Sequence, residues 1–192
     1  MRTDFLLPPP PFPQRIYLTG FMGSGKSAAA WSLAARLGFT AIDLDRLVAV
    51  LSGRSIPDLF AEGEAAFRAA ERETLEKTFD KKQVVVATGG GTLVVPGAME
   101  AAQAAGRVVY LRLPVEALVA RLEADPAPRP LLRDAEGRPL RGEALRARVE
   151  ALLAERAPRY EQADVVVEAD GLTPKEVALA AAHALDALPP TA

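Results

Sequence analysis

Eight residues, Gly20-Phe21-Met22-Gly23-Ser24-Gly25-Lys26-Ser27, restrict the architecture of this chain more than any other stretch. They match G-x-x-x-x-G-K-[ST], the phosphate-binding loop, at every fixed position. Such a loop works between a strand and a helix. Its glycines let backbone N–H groups turn inward around phosphate oxygens, and the helix N-terminus adds partial positive charge. Both flanks are present. Arg15–Thr19 reads as a short buried strand, and Ser27–Leu37 as an alanine-rich helix with Gly38 placed to cap it. Lys26 is then expected to reach the β and γ phosphates, and the Ser27 hydroxyl to ligate Mg²⁺. A nucleoside triphosphate is the expected ligand, and the loop alone does not name the acceptor.

The rest of the chain repeats the strand-then-helix order. Thr40–Asp43 reads as a second strand with a helix from Leu44, and 57–79 as a long helical pattern broken at Gly63. The β-branched run 83–87 reads as a strand buried on both faces. Arg107–Arg112 and 164–167 are the last two strands, followed by helices opened at Pro114 and at Thr173-Pro174. This alternation predicts an α/β fold: a five-stranded parallel sheet with helices on both faces, a three-layer α/β/α arrangement around the P-loop. Ligands in such folds gather at the carboxyl ends of the strands, where the loop, Asp43/Asp45 and Gly89-Gly90-Gly91 all fall.

One domain is expected over 15–188. Before it lies a proline-rich extended tail (1–14), and after it a short C-terminal tail (189–192). The non-periodic stretch at about 124–140, with Arg129-Pro130 and Pro139, reads as a mobile lid. A net charge of −2 argues against a nucleic-acid coat, and no apolar run nears the roughly 20 residues of a membrane span. With no cysteine and a single histidine, thiol, iron–sulfur and zinc chemistry have almost nothing to work with. No signal sequence is evident, so a cytoplasmic protein is expected; a monomer is a separate expectation that the sequence does not fix. His183 reads as structural and Trp31 as core.

Phosphoryl transfer needs positioning and charge neutralisation. Asp43-Leu44-Asp45 offers two carboxylates on one side if the chain there is extended, one for the metal's water shell and one for an acceptor hydroxyl. The alternative is a helix cap, with Asp45 preceding the helical run. Gly89-Gly90-Gly91 carries a large entropic cost, which close backbone approach to a ligand would justify better than a plain turn. Arg68, Arg129 in the lid, and Arg156 near a helix end set by Pro158 are candidate forks for carboxylate or phosphate. On spacing alone, each reads first as solvated surface.

Taken in order, GFMGSGKS (20–27), DLD (43–45), GRSIPDLF…GEAAFR (53–68), TGGG (88–91), RPLL (129–132) and ERAPRY (155–160) resemble the shikimate kinase family over 15–188. The resemblance implies ATP-dependent phosphorylation of the 3-hydroxyl of shikimate, with gluconate kinase the nearest alternative within the same P-loop class. It implies catalytic roles for Lys26, Asp45 and Arg129. It puts ATP on Gly23, Ser24, Gly25, Lys26, Ser27, Ala28 and Arg129, and Mg²⁺ on Ser27 and Asp43. Shikimate falls to Asp45, Arg68, Gly89, Gly90, Gly91 and Arg156. The chain departs from the family pattern at Ala28-Ala29-Ala30, and again at Glu168, in a 167–174 segment that carries no arginine for the adenine ring. Arg121 is a candidate substitute.

Overall fold

The computed structural model describes residues 12–125, 127 and 129–189. Most of the proline-rich segment thus lies outside the described residues, although Phe12 packs on the core. Five strands form one sheet: β1 (Arg15–Thr19), β2 (Thr40–Asp43), β3 (Val84–Ala87), β4 (Arg107–Arg112) and β5 (Val165–Glu168). Their order is β2-β3-β1-β4-β5 and every pairing is parallel.

Alternation along the strands explains the layers. Ile16 and Leu18 of β1 and Val85 and Ala87 of β3 point into one core, with α1 (Lys26–Leu37), α6 (Val115–Ala124), α7 (Gly142–Tyr160) and α8 (Pro174–Asp186). Tyr17, Val84, Val86 and Val108 point to the opposite face. There they meet Leu44 of α2 (Leu44–Ser52), Leu75 of α4 (Glu64–Glu76), and Met99 and Ala102 of α5 (Ala98–Ala105). A strand with period-two side chains and apolar residues on both faces must be covered twice, which gives the three layers. The short α3 (Ile56–Ala61) opens on a capping box between Ser55 and Asp58, and a third small core of Val48, Leu59 and Phe67 joins α2, α3 and α4.

The chain leaves β1 toward β2 and β3 on one side and toward β4 on the other. The carboxyl end of β1 is therefore the point where the sheet's winding reverses, and a crevice opens there. The phosphate-binding loop fills that point.

Four sequence expectations change. Trp31 is 54% exposed, because the buried stripe of α1 runs through Lys26, Ala29, Ala30, Leu33 and Ala34 and leaves position 31 off it. The chain from Asp43 to Asp45 is not extended: Asp43 caps α2, accepting from the Arg46 N–H, and Asp45 already sits in the first helical turn. The cap is therefore Asp43, not Asp45. Pro158 lies inside α7, which runs on to Tyr160; proline in the last turn costs only one carbonyl its partner. Glu168 belongs to β5 instead of the loop after it. Within the lid stretch, Pro130–Leu132 form a 3₁₀ turn and Arg133 bridges Pro139. No helix of the described residues is long and apolar enough to cross a membrane.

Candidate active site

A cavity of about 550 Å³ opens at the carboxyl ends of β1, β2 and β3. Every residue singled out from the sequence as a site candidate lines it except Ser24, which is buried beneath. Five cationic side chains (Lys26, Arg68, Arg121, Arg129 and Arg156) face four carboxylates, those of Asp43, Asp45, Glu71 and Asp125. An acidic chain thus carries a locally cationic pocket, as an anionic ligand requires.

The loop half is built by local backbone geometry. Gly20, Gly23 and Gly25 all have positive φ, and Gly25 (φ 91°) is the N-cap of α1. At Gly20 a Cβ would stand 2.7 Å from the Leu111 carbonyl oxygen, so β4 packs directly on the loop. Lys26 is 8% exposed and folds back to donate to the Gly20 and Phe21 carbonyls, 2.8 Å each. Burial pulls its ammonium down to about 8, against the pull of Asp45 and Asp43. The Ser27 hydroxyl donates to Asp43 Oδ2 at 2.6 Å. On the outer side, Arg121 of α6 reaches the Ser24 carbonyl at 3.3 Å.

The opposite half comes from α2, α4, α7 and the glycine turn. Asp45 stands open to the cavity, and no hydrogen bond holds its carboxylate among the described residues. Enclosure by protein, then the Glu71 and Asp43 carboxylates, raise its carboxyl to about 6. Arg68 is held by two carboxylates, Glu71 at 2.7 Å and Glu64 at 3.0 Å. Glu71 is 2% exposed and also accepts from Thr92 Oγ1 at 2.6 Å. Arg156, 5% exposed, has no carboxylate partner among the described residues; its guanidinium reaches the Gly90 carbonyl at 3.4 Å and lies 5.9 Å from the centre of the Phe21 ring. In the lid, Arg129 pairs with Asp125 at 2.8 Å. Phe60 and Phe67, stacked 4.5 Å apart, help form an apolar wall.

The glycine turn has a structural account at each position. A Cβ on Gly89 would meet Glu71 Oε1 at 2.5 Å, one on Gly90 the Met22 backbone nitrogen at 3.1 Å, and one on Gly91 the Arg68 guanidinium at 2.6 Å. None of the three has positive φ, so absence of a side chain, more than backbone freedom, is what the site uses.

Glu71 escaped the sequence reading. Its signal was available: it falls on the buried stripe of α4 with Phe67, Thr74 and Leu75, where a carboxylate is out of place unless paired.

The family model described as shikimate kinase matches residues 22–186. A shikimate kinase of Salinibacter ruber is 49% identical over 161 residues, which cover 83% of this chain and 79% of that protein. A crystal structure of shikimate kinase from Bacteroides thetaiotaomicron matches with a TM-score of 0.81 at 31% identity, covering 91% of this chain and 99% of that one. Another, from Acinetobacter baumannii in complex with shikimate, gives 0.78 at 34% identity over 88% and 89% of the two chains.

Proposed function

The chain belongs to the shikimate kinase family, and on that premise we propose the residue roles by which it transfers a phosphoryl group from ATP to shikimate. The activity is that of an ATP-dependent shikimate kinase. The observation that carries the residue-level reading is the single cavity shared by the phosphate-binding loop and by Asp45, Arg68, Arg156 and the glycine turn.

ATP takes the loop side. Lys26, now spending its ammonium on two carbonyls, swings to the β and γ phosphates, whose charge restores its basicity. Backbone N–H groups of Gly23 to Ala28 surround the phosphates, and Arg121 stands beside the loop on the adenine side. Ser27 Oγ and Asp43 Oδ2, 2.6 Å apart, are hard oxygen donors of the kind Mg²⁺ accepts beside water and phosphate oxygens. No group of three acidic, histidine or cysteine residues among the described ones could hold a metal alone, so phosphate would have to complete the shell. When bound there, Mg²⁺ neutralises the β and γ oxygens.

Shikimate takes the other side. Its carboxylate falls to Arg156 and Arg68 as bidentate forks, with Gly89–Gly91 leaving room for the ring. Asp45 receives the hydrogen bond of the 3-hydroxyl. A carboxyl near 6 is mostly ionised at neutral pH, which suits it to accept that proton as the phosphoryl group leaves ATP. Arg129 comes from the lid to the transferring phosphate once it exchanges Asp125 for it. We place these roles in one kinase domain over 15–188, acting as a cytoplasmic monomer. A coupled ADP-release assay tests the reading: turnover is expected with shikimate and not with gluconate, and the reverse outcome overturns it.

A further inference from the structure

We propose that Tyr160 is a positioning residue for the acceptor: its hydroxyl fixes the Gly90 peptide and so presets the glycine turn against which shikimate binds. This rests on the reading of Gly89–Gly91 as the shikimate side of the cavity.

Tyr160 is the last residue of α7 and is fully buried. Its hydroxyl donates to the Gly90 carbonyl, the same oxygen that Arg156 reaches at 3.4 Å. Residues 156 and 160 are one helical turn apart, so one face of α7 clamps a single peptide group with two donors. The tyrosine cannot drift. Its ring packs on Tyr110 of β4, with centroids 5.1 Å apart. Burial also holds the phenol up at about 12, so it remains a donor throughout the working pH range.

The turn needs such a clamp. Three consecutive glycines have the widest conformational freedom of any tripeptide, and nothing in their own side chains can choose one geometry. Locking the Gly90 C=O fixes a whole peptide plane, and with it the Gly91 N–H on the opposite side of that plane. Neither the Gly90 nor the Gly91 N–H finds an acceptor among the described residues. Both donors are left for a ligand, and Tyr160 fixes the direction of the Gly91 N–H from outside the cavity.

The clamp ties the turn to Arg156 as well. Shikimate's carboxylate fork and the glycine backbone hang on the same end of α7, so losing the hydroxyl should disturb acceptor binding while the loop half keeps its geometry.

Steady-state kinetics of Tyr160→Phe, with Tyr110→Phe as a buried-hydroxyl control, test this. For Tyr160→Phe the KM for shikimate should rise about tenfold, with kcat and the KM for ATP within about twofold; Tyr110→Phe should leave all three near the wild type. A well-folded Tyr160→Phe with unchanged shikimate KM overturns the proposal, as does an equal rise in both KM values. If that variant does not fold, 3,5-difluorotyrosine at 160 keeps the shape while making the phenol far more acidic. Its shikimate KM should then climb with pH where the wild type's does not, and a flat profile again overturns the proposal. Wild-type enzyme that fails to turn over shikimate at all would instead sink the functional reading on which the proposal rests.

Discussion

The two halves of the cavity are made in different ways. The loop half is one continuous run, Gly20 to Ser27, whose shape is set by positive-φ glycines and whose one buried charge is held by its own carbonyls. The acceptor half gathers α2, α4, the glycine turn and α7, and its charges hold one another: Arg68 on Glu71 and Glu64, Glu71 on Thr92. Local backbone geometry makes the first half, and tertiary packing of ionised groups makes the second. Removing the charge of the loop half should therefore act on the phosphoryl donor with little effect on stability, because its glycine backbone keeps the loop's shape. Removing a charge from the acceptor half should move substrate affinity and stability together.

Lys26→Met gives the largest expected effect. It removes the only ammonium on the loop, and kcat should fall by about 10³-fold or more in the ADP-release assay. Its present partners are two carbonyls, so melting should shift little. A near-normal kcat would refute its phosphate role. Arg68→Ala should come next, raising the KM for shikimate about 100-fold and leaving that for ATP unchanged. Unlike Lys26→Met, it leaves Glu71 buried without its cation, which costs about 2 kcal/mol in urea unfolding once the partial exposure of Arg68 is allowed for. Arg68→Ala with Glu71→Gln should recover part of that loss. Strict additivity would show that the two side chains do not form a unit.

The same division explains what could be read from the sequence. A P-loop is legible because all its constraints lie within eight residues and two flanks, and the strand limits at 15–19, 40–43 and 107–112 agree because the runs stop at Gly20, at the Asp43 cap and just before the helix opened by Pro114. The acceptor half was legible as residue types but not as geometry. Asp43-Leu44-Asp45 was readable as an extended pair or as a helix start capped by Asp45; α2 begins between the two aspartates, and the cap that starts it is Asp43. Trp31, one turn past the P-loop, read as core, yet the face of the helix decides burial and position 31 lies off the buried one. Glu71 stood out only as a carboxylate on the buried stripe of α4; the partner that completes its setting, Thr92, is 21 residues away in sequence and leaves no local spacing to find.

The pH profile probes both halves in one measurement. Asp45 titrates near 6 and must be ionised to accept the hydroxyl proton, so kcat/KM for shikimate should rise with pH through about 6. Lys26 titrates near 8 in the free enzyme and must be charged to meet phosphate, so kcat/KM for ATP should fall above about 8. Asp45→Asn should remove the acid limb and keep the basic limb, moved to lower pH because Asp45 no longer holds the Lys26 ammonium up. If both limbs disappeared together, the two groups would be titrating as one coupled pair and the halves would not be independent.

Gly91→Ala should give the smallest effect, and the comparison with Gly20→Ala makes it informative. At Gly20 a Cβ meets the Leu111 carbonyl at 2.7 Å from a backbone with φ 138°, so neither partner can yield and the fold itself must strain. At Gly91 φ is −113°, which any residue adopts, and the nearest atoms to the new methyl all belong to the Arg68 guanidinium. That head can swing aside at the end of a flexible stem. Gly91→Ala should thus raise the KM for shikimate by about three- to tenfold, the cost of a displaced fork, while its melting temperature stays within about 2 °C of the wild type. Differential scanning fluorimetry beside the kinetics reads both. A melting loss as large as that of Gly20→Ala, with unchanged shikimate KM, would mean that the glycine turn serves the fold and not the acceptor.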